Sequence, residues 1–173
     1  MRKKSRRYVS PDKALELRRL LAPAIRAVGV FTDEAPERVA GLLNAGVIDI
    51  AQLHGGEDSD YINELRALAG KPVIKAFCLA SPADVELANR SGADYVLLDS
   101  GSGSGKPFDW SLLNNVRRPF FLAGGLSPDN VGRAVRQLKP YAVDVSSGIE
   151  TDGYKDPEKM SAFVAAVRKE GQP

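Results

Sequence analysis

FFLAGGL (120–126) and YAVDVSSGIE (141–150) are apolar runs of strand type that end abruptly in small residues, Gly124-Gly125 in the first and Ser146-Ser147-Gly148 in the second. Small residues leave backbone exposed. After a buried parallel strand, such a turn aims several N–H groups into one concavity, and the next helix adds the positive end of its dipole, so a phosphate fits without a charged side chain. A single glycine turn usually reflects only a need for φ > 0. Two of them in neighbouring units point to one shared phosphate, with Gly124, Gly125, Ser147 and Gly148 as its ligands and Ser146 and Asn130 as secondary candidates.

Outward from these turns one pattern repeats. Strand-like runs start near residues 27, 47, 73, 94, 119 and 141, at intervals of 20 to 26, which is one strand, one helix and two short loops each time. The runs AVGVF, VIDIAQL, VIKAF and DYVLLD are continuous rather than alternating, as in parallel strands covered on both faces. Ser10-Pro11-Asp12 opens a helix ahead of the first strand, with Leu17, Leu20 and Leu21 on one face. Two architectures accept such an array, an open doubly wound sheet or a (β/α)8 barrel. A dinucleotide-binding open sheet carries its glycine turn after the first strand, where this chain has FTDEAPE; barrels frequently build a phosphate site after their last two strands, where the glycine turns here stand. The pattern therefore predicts an α/β fold of (β/α)8 barrel type, incomplete, with about six βα units.

With 173 residues, 43% of them hydrophobic, the chain can build one substantial core, so a single partial barrel domain over 1–173 is expected, with a basic segment over 1–9. The net charge of +2 is uneven: Arg2, Lys3, Lys4, Arg6 and Arg7 supply five positives, leaving −3 for the rest. No basic helix face or aromatic platform continues that tail, which argues against nucleic acid. The single cysteine, Cys78, forms no internal disulfide, and His54 has no Cys/His cluster around it with metal-ligand spacing, so no metal is expected and a reducing cytoplasm fits best. No window approaches the ~18 apolar residues of a membrane span.

RRYVSPDKALEL, VGVF, IDIAQLHGGED, VIKAF, DYVLLDSGSGSGKPFDW, FFLAGGLSPDNV and VDVSSGIETDGYKDPEKM, in that order, resemble the phosphoribosylanthranilate isomerase family of tryptophan biosynthesis from about Ser5 onward. The resemblance implies a ribulose-phosphate-binding TIM barrel, a phosphosugar substrate, no cofactor, and an Amadori rearrangement of N-(5-phosphoribosyl)anthranilate to the 1-deoxyribulose 5-phosphate. It makes Asp99 the general acid that protonates the furanose ring oxygen. It implies that Arg7 reaches the anthranilate carboxylate, a role that suits a planar guanidinium fork. Asp144 is placed on the ribose, and Gln52 and His54, at alternate positions leaving one strand, near the substrate without a chemical role.

The family's general base is a cysteine in a KxCG motif ending its first strand. The first matching residues correspond to the loop after the family's second strand, so the first two strands and the helix between them are expected to be absent, together with a base typically worth ~10² to 10⁴ in rate. An unclosed barrel exposes strand edges, which implies pairing with a second copy or a complementing chain.

Other readings stand beside these. Asp99 as a local turn hydrogen bond, Arg7 as one charge of a solvated tail and Asp144 as a structural partner inside its strand are the plainer roles of those residues. Cys78, at a strand end, is more often a small buried hydrophobe than a replacement base. Ser102 to Lys106 does not satisfy a phosphate-loop pattern and reads as a mobile loop over the mouth, while Trp110 is expected to pack on the helix that follows. For the whole chain the alternatives are a non-catalytic phosphosugar-binding domain or inactive fragment of such a barrel, and a different ribulose-phosphate-type enzyme sharing the phosphate site.

Overall fold

The computed structural model describes residues 7–99 and 110–171. Its main strands are β1 (Val28–Phe31), β2 (Ile50–Leu53), β3 (Val73–Cys78), β4 (Tyr95–Asp99), β5 (Phe120–Ala123) and β6 (Ala142–Val143). They are hydrogen-bonded in chain order, and β1 with β2, β2 with β3 and β5 with β6 pair parallel. Parallel neighbours in chain order require a crossover after each strand. The crossovers are α2 (Pro36–Asn44), α3 (Ser59–Ala69), α4 (Pro82–Arg90), a 3-10 helix over Trp110–Asn115 and α5 (Pro128–Leu138). Helix α1 (Pro11–Leu20) precedes them, and a short hairpin of β7 (Glu150–Thr151) and β8 (Tyr154–Lys155) leads into α6 (Pro157–Glu170). Among the described residues no helix is long and apolar enough to cross a membrane.

Contacts group the chain into two compact units, Met1–Ala76 with Ser91–Val96, and Phe77–Arg90 with Leu97–Pro173. In the first, Phe31, Val39, Leu43, Leu53, Leu65 and Val73 form the centre of a core between strands and helices. Aspartates staple its strand starts. Asp49, just before β2, accepts the Ala27 N–H at 2.8 Å and pairs with Arg18 of α1 at 3.3 Å; Asp94, just before β4, accepts the Val73 N–H at 2.9 Å and pairs with Arg66 of α3 at 3.3 Å. The same device, before β2 and again before β4, ties each of these strand starts to that of the preceding strand.

In the second unit, Leu97, Leu98, Leu122, Val131 and Phe163 are buried, and the Arg133 guanidinium of α5 lies 4.9 Å from the centre of the Trp110 ring. Trp110, which opens the 3-10 helix, thus meets α5 through Arg133.

Two apolar segments are less covered than the rest. Helix α1 has no buried residue, and Leu20 is 82% exposed; Ala14 and Leu15, not Leu17, Leu20 and Leu21, face the core, because the Arg18–Asp49 pair fixes the helix on that side. Strand β1 is not covered on both faces: Phe31 is buried, but Val28 and Val30 are 41% and 48% exposed. Being first in the order, β1 carries an edge unpaired among the described residues.

Candidate active site

Strand β5 ends at Ala123, and Gly124 and Gly125 then adopt φ of 92° and 62°, a left-handed pair that side-chain-bearing residues rarely take. Asn130, in the first turn of α5, holds this bend: its Nδ2 donates to the Gly125 carbonyl at 2.9 Å and its Oδ1 accepts the Ser127 N–H at 2.9 Å. A trans peptide points its C=O and N–H in opposite directions. Fixing the Gly125 carbonyl on Asn130 therefore aims the Leu126 N–H away from that side chain. Asn130 shapes the turn in this structure.

After β6 the backbone turns through Ser146 into a 3-10 helix over Ser147–Ile149. A Cβ on Gly148 would overlap the Leu126 carbonyl oxygen and lie 2.9 Å from its carbon and 3.1 Å from the Ser127 Cα. These are backbone atoms that cannot swing aside. Glycine at 148 is what lets the turn after β6 close onto the turn after β5, so Gly125, Leu126, Ser147 and Gly148 come together on adjacent strand ends. The start of α5 and the start of the 3-10 helix each leave N–H groups without an intrahelical partner. A concave space of about 500 Å³ also touches Ser147 and Gly148, but its lining carries the carboxylates of Asp129, Glu150 and Glu158 against one ammonium, Lys159. Its charge disfavours an anion.

Asp99 is the last residue of β4 and half-buried; its carbonyl accepts the Leu79 N–H at 3.0 Å, which ties the end of β4 to the residue after β3. The Ser102 to Lys106 stretch lies outside the described residues. Cys78 ends β3 and is exposed, contrary to the buried role expected of a lone cysteine. Asp144 is not inside a strand: β6 stops at Val143, and Asp144 is exposed while its N–H donates to the Leu122 carbonyl at 2.8 Å.

In the first unit, Gln52 is buried on β2 and its Nε2 lies 3.3 Å from His54 Nδ1, so these two are brought together as their alternation predicts. His54 itself is exposed and continues the ladder, its N–H donating to the Phe31 carbonyl at 2.8 Å. Arg7 is exposed in a turn ahead of α1.

A group that the motif reading passed over holds the turn after β2. The Glu57 carboxylate accepts the N–H groups of Asp33 and Gly55, both at 2.8 Å, and pairs with Lys75 of β3 at 3.1 Å. Lys75 also donates to the Gly55 carbonyl at 2.6 Å, and Asp33, at φ 50°, accepts the Gly56 N–H at 2.7 Å. Both side chains of the pair are buried, to 8% exposure for Lys75 and 1% for Glu57. Burial pushes the Glu57 pKa up, but the Asp33, Glu57 and Gly55 N–H groups and Lys75 outweigh it and hold the carboxyl below the ordinary range. The signal was present in VIKAF: a lysine inside a buried strand requires a partner.

Residues 1–166 match the family model described as N-(5'-phosphoribosyl)anthranilate (PRA) isomerase. An N-(5'-phosphoribosyl)anthranilate isomerase of Endomicrobium trichonymphae is 43% identical over 168 residues, covering 94% of this chain and 82% of that protein. The crystal structure of phosphoribosyl anthranilate isomerase from Thermotoga maritima is 35% identical with a TM-score of 0.85, covering 96% of this chain and 84% of that one. A further phosphoribosyl anthranilate isomerase structure, in complex with reduced 1-(o-carboxyphenylamino)-1-deoxyribulose 5-phosphate, is 34% identical with a TM-score of 0.82, covering 96% of this chain and 83% of that one.

Proposed function

The chain belongs to the N-(5'-phosphoribosyl)anthranilate isomerase family, of TIM-barrel type, and on that premise we propose how its own residues divide the work of the isomerisation in tryptophan biosynthesis. The substrate phosphate sits on the N–H groups offered by Gly124, Gly125, Ser147 and Gly148. The observation that carries this reading is the contact of Gly148 with the Leu126 carbonyl, which joins two N–H-bearing turns with no room for a side chain. Backbone donors and helix starts hold a phosphate dianion without a fixed cation.

Asp99, half-buried at its strand end, donates a proton to the furanose ring oxygen. The C1–O bond then breaks, and the anthranilate nitrogen supplies the electron pair that makes the Schiff base. Loss of the C2 proton gives the enolamine, which tautomerises to the 1-deoxyribulose. Arg7 takes the anthranilate carboxylate through its guanidinium fork, Asp144 meets the ribose hydroxyls, and Gln52 and His54 line the sugar. The KxCG motif that supplies the family's base has no counterpart in the 173 residues. The base comes from a complementing segment or second chain that pairs on β1, whose exposed Val28 and Val30 and edge, unpaired among the described residues, suit another strand. The setting is the cytoplasm.

The test is consumption of N-(5-phosphoribosyl)anthranilate by the purified protein beside Asp99→Asn. Turnover that falls by about 10² to 10⁴ in Asp99→Asn supports the assignment. Equal rates in the two proteins refute it. Tight binding of a sugar phosphate with no turnover in either would favour a binding domain.

A further inference from the structure

The β7–β8 hairpin, between the 3-10 helix over Ser147–Ile149 and α6, returns one lysine to the start of that 3-10 helix. Asp152 and Gly153, at φ 52° and 82°, form the two-residue left-handed turn that matches the twist of a tight hairpin, and Glu150 stands opposite Lys155 in the antiparallel register. The hairpin is tied down beyond its tip. The Asp156 N–H donates to the Ile149 carbonyl at 2.9 Å, the Thr151 hydroxyl donates to the Asp156 carboxylate at 2.6 Å, and that carboxylate caps α6 through the N–H groups of Glu158 and Lys159. From this support Lys155 Nζ donates to the Ser146 carbonyl at 2.7 Å and pairs with the Glu150 carboxylate at 3.0 Å.

The Ser146 carbonyl belongs to the peptide whose other end is the Ser147 N–H. Because the two groups of a trans peptide point in opposite directions, a cation that holds the carbonyl also sets where the N–H points. We infer that Lys155 is a positioning residue for the substrate phosphate: it draws the Ser146 carbonyl to the hairpin side and so presents the Ser147 N–H to the anion, without touching the anion itself. Asn130 likewise holds a carbonyl in the turn after β5, that of Gly125, whose peptide carries the Leu126 N–H. Lys155 has a second effect. The Glu150 carboxylate, only 7% exposed, sits on the segment that receives a phosphate dianion, and the Lys155 ammonium offsets its charge. The inference rests on the phosphate reading given above, and its experiment separates the two.

Steady-state kinetics with N-(5-phosphoribosyl)anthranilate, and inhibition by inorganic phosphate, are measured for the protein and for Lys155→Met, Lys155→Arg, Glu150→Gln and Gly148→Ala. Loss of a charge-assisted hydrogen bond predicts a KM and a phosphate inhibition constant about tenfold higher in Lys155→Met, with kcat within about twofold. Lys155→Arg restores both to within about threefold. Glu150→Gln breaks the hairpin ion pair but keeps the carbonyl contact, so it leaves both constants unchanged or lower. A merely structural hairpin lysine would make Glu150→Gln resemble Lys155→Met, and that result overturns the inference. So does a Lys155→Met protein with unaltered constants while Gly148→Ala raises them. Unaltered constants in Gly148→Ala remove the phosphate reading itself, and the role of Lys155 with it.

Discussion

After β2 the chain is held by charge, and after β5 and β6 it is held by glycine. The first turn runs from Leu53 to Ser59 around the buried Glu57–Lys75 pair, whose carboxylate also takes up the N–H groups of Asp33 and Gly55. The other two close on each other where Gly148 meets the Leu126 carbonyl, and the side chains that brace them, Asn130 and Lys155, act on carbonyls from outside. The difference teaches what each turn leaves over. In the first, the N–H groups are consumed by an internal carboxylate, so the turn is closed to an anion and works as a rigid seat for Gln52 and His54. In the other two Asn130 and Lys155 engage the Gly125 and Ser146 carbonyls, and although Asn130 also takes up the Ser127 N–H, the N–H groups of those two peptides are aimed elsewhere.

The sharpest break of this contrast is Glu57→Ala. It leaves Lys75 buried without its carboxylate and strips two N–H groups of their acceptor, so a loss of about 3 to 5 kcal/mol in unfolding free energy is expected from denaturant titration. Replacing both partners, as Glu57→Gln with Lys75→Met, should cost clearly less than the single change, because no isolated charge remains. A double variant as damaged as Glu57→Ala would mean that the charge itself is needed.

Gly148→Ala is the matching break on the other side. Its Cβ must push the two turns apart, so phosphate affinity should fall by about 100-fold, while stability drops by about 1 to 3 kcal/mol, the range of local backbone strain. Denaturation and phosphate titration on one preparation separate the two effects.

Acid discriminates more gently. The Glu57 carboxyl titrates below its ordinary 4.5 when folded, so its contribution is fully present above that value and is lost as pH falls through the depressed one. Denaturation midpoints between pH 3 and 7 should fall on the acid side, and Glu57→Gln should flatten that fall without removing it, since Asp49, Asp84 and Asp156 are also held low by hydrogen bonds. The smallest effect belongs to Asn130→Ala, about 1 kcal/mol of stability from the lost bridge between Gly125 and Ser127.

The cadence of the fold was legible because a buried parallel strand is a continuous apolar run and its crossover has a nearly fixed length. Thus the two glycine turns follow β5 and β6. In α1 leucine periodicity marks a stripe without saying whether anything covers it; Ala14 and Leu15 pack while Leu20 faces solvent. Asp144 was read inside its strand, whereas β6 ends one residue earlier at Val143 and leaves the Asp144 side chain exposed. The hairpin around Asp152-Gly153 carried a recognisable turn signal, but the role of Lys155 depends on which carbonyl the returning strand meets, and only the folded backbone decides that. Lys75 in VIKAF signalled that a partner was needed without saying which of the nearby carboxylates supplied it.

A crystal structure of the protein with reduced 1-(o-carboxyphenylamino)-1-deoxyribulose 5-phosphate bound tests the central claim most directly. The account predicts the phosphate oxygens within hydrogen-bond distance of the N–H groups of Gly125, Ser147 and Gly148, with the Lys155 ammonium on the Ser146 carbonyl and the Asp99 carboxyl beside the oxygen that closed the furanose. A phosphate seated instead beside Lys159 in the concavity bordered by Asp129 and Glu158, or Asp99 turned away from the sugar, would contradict it.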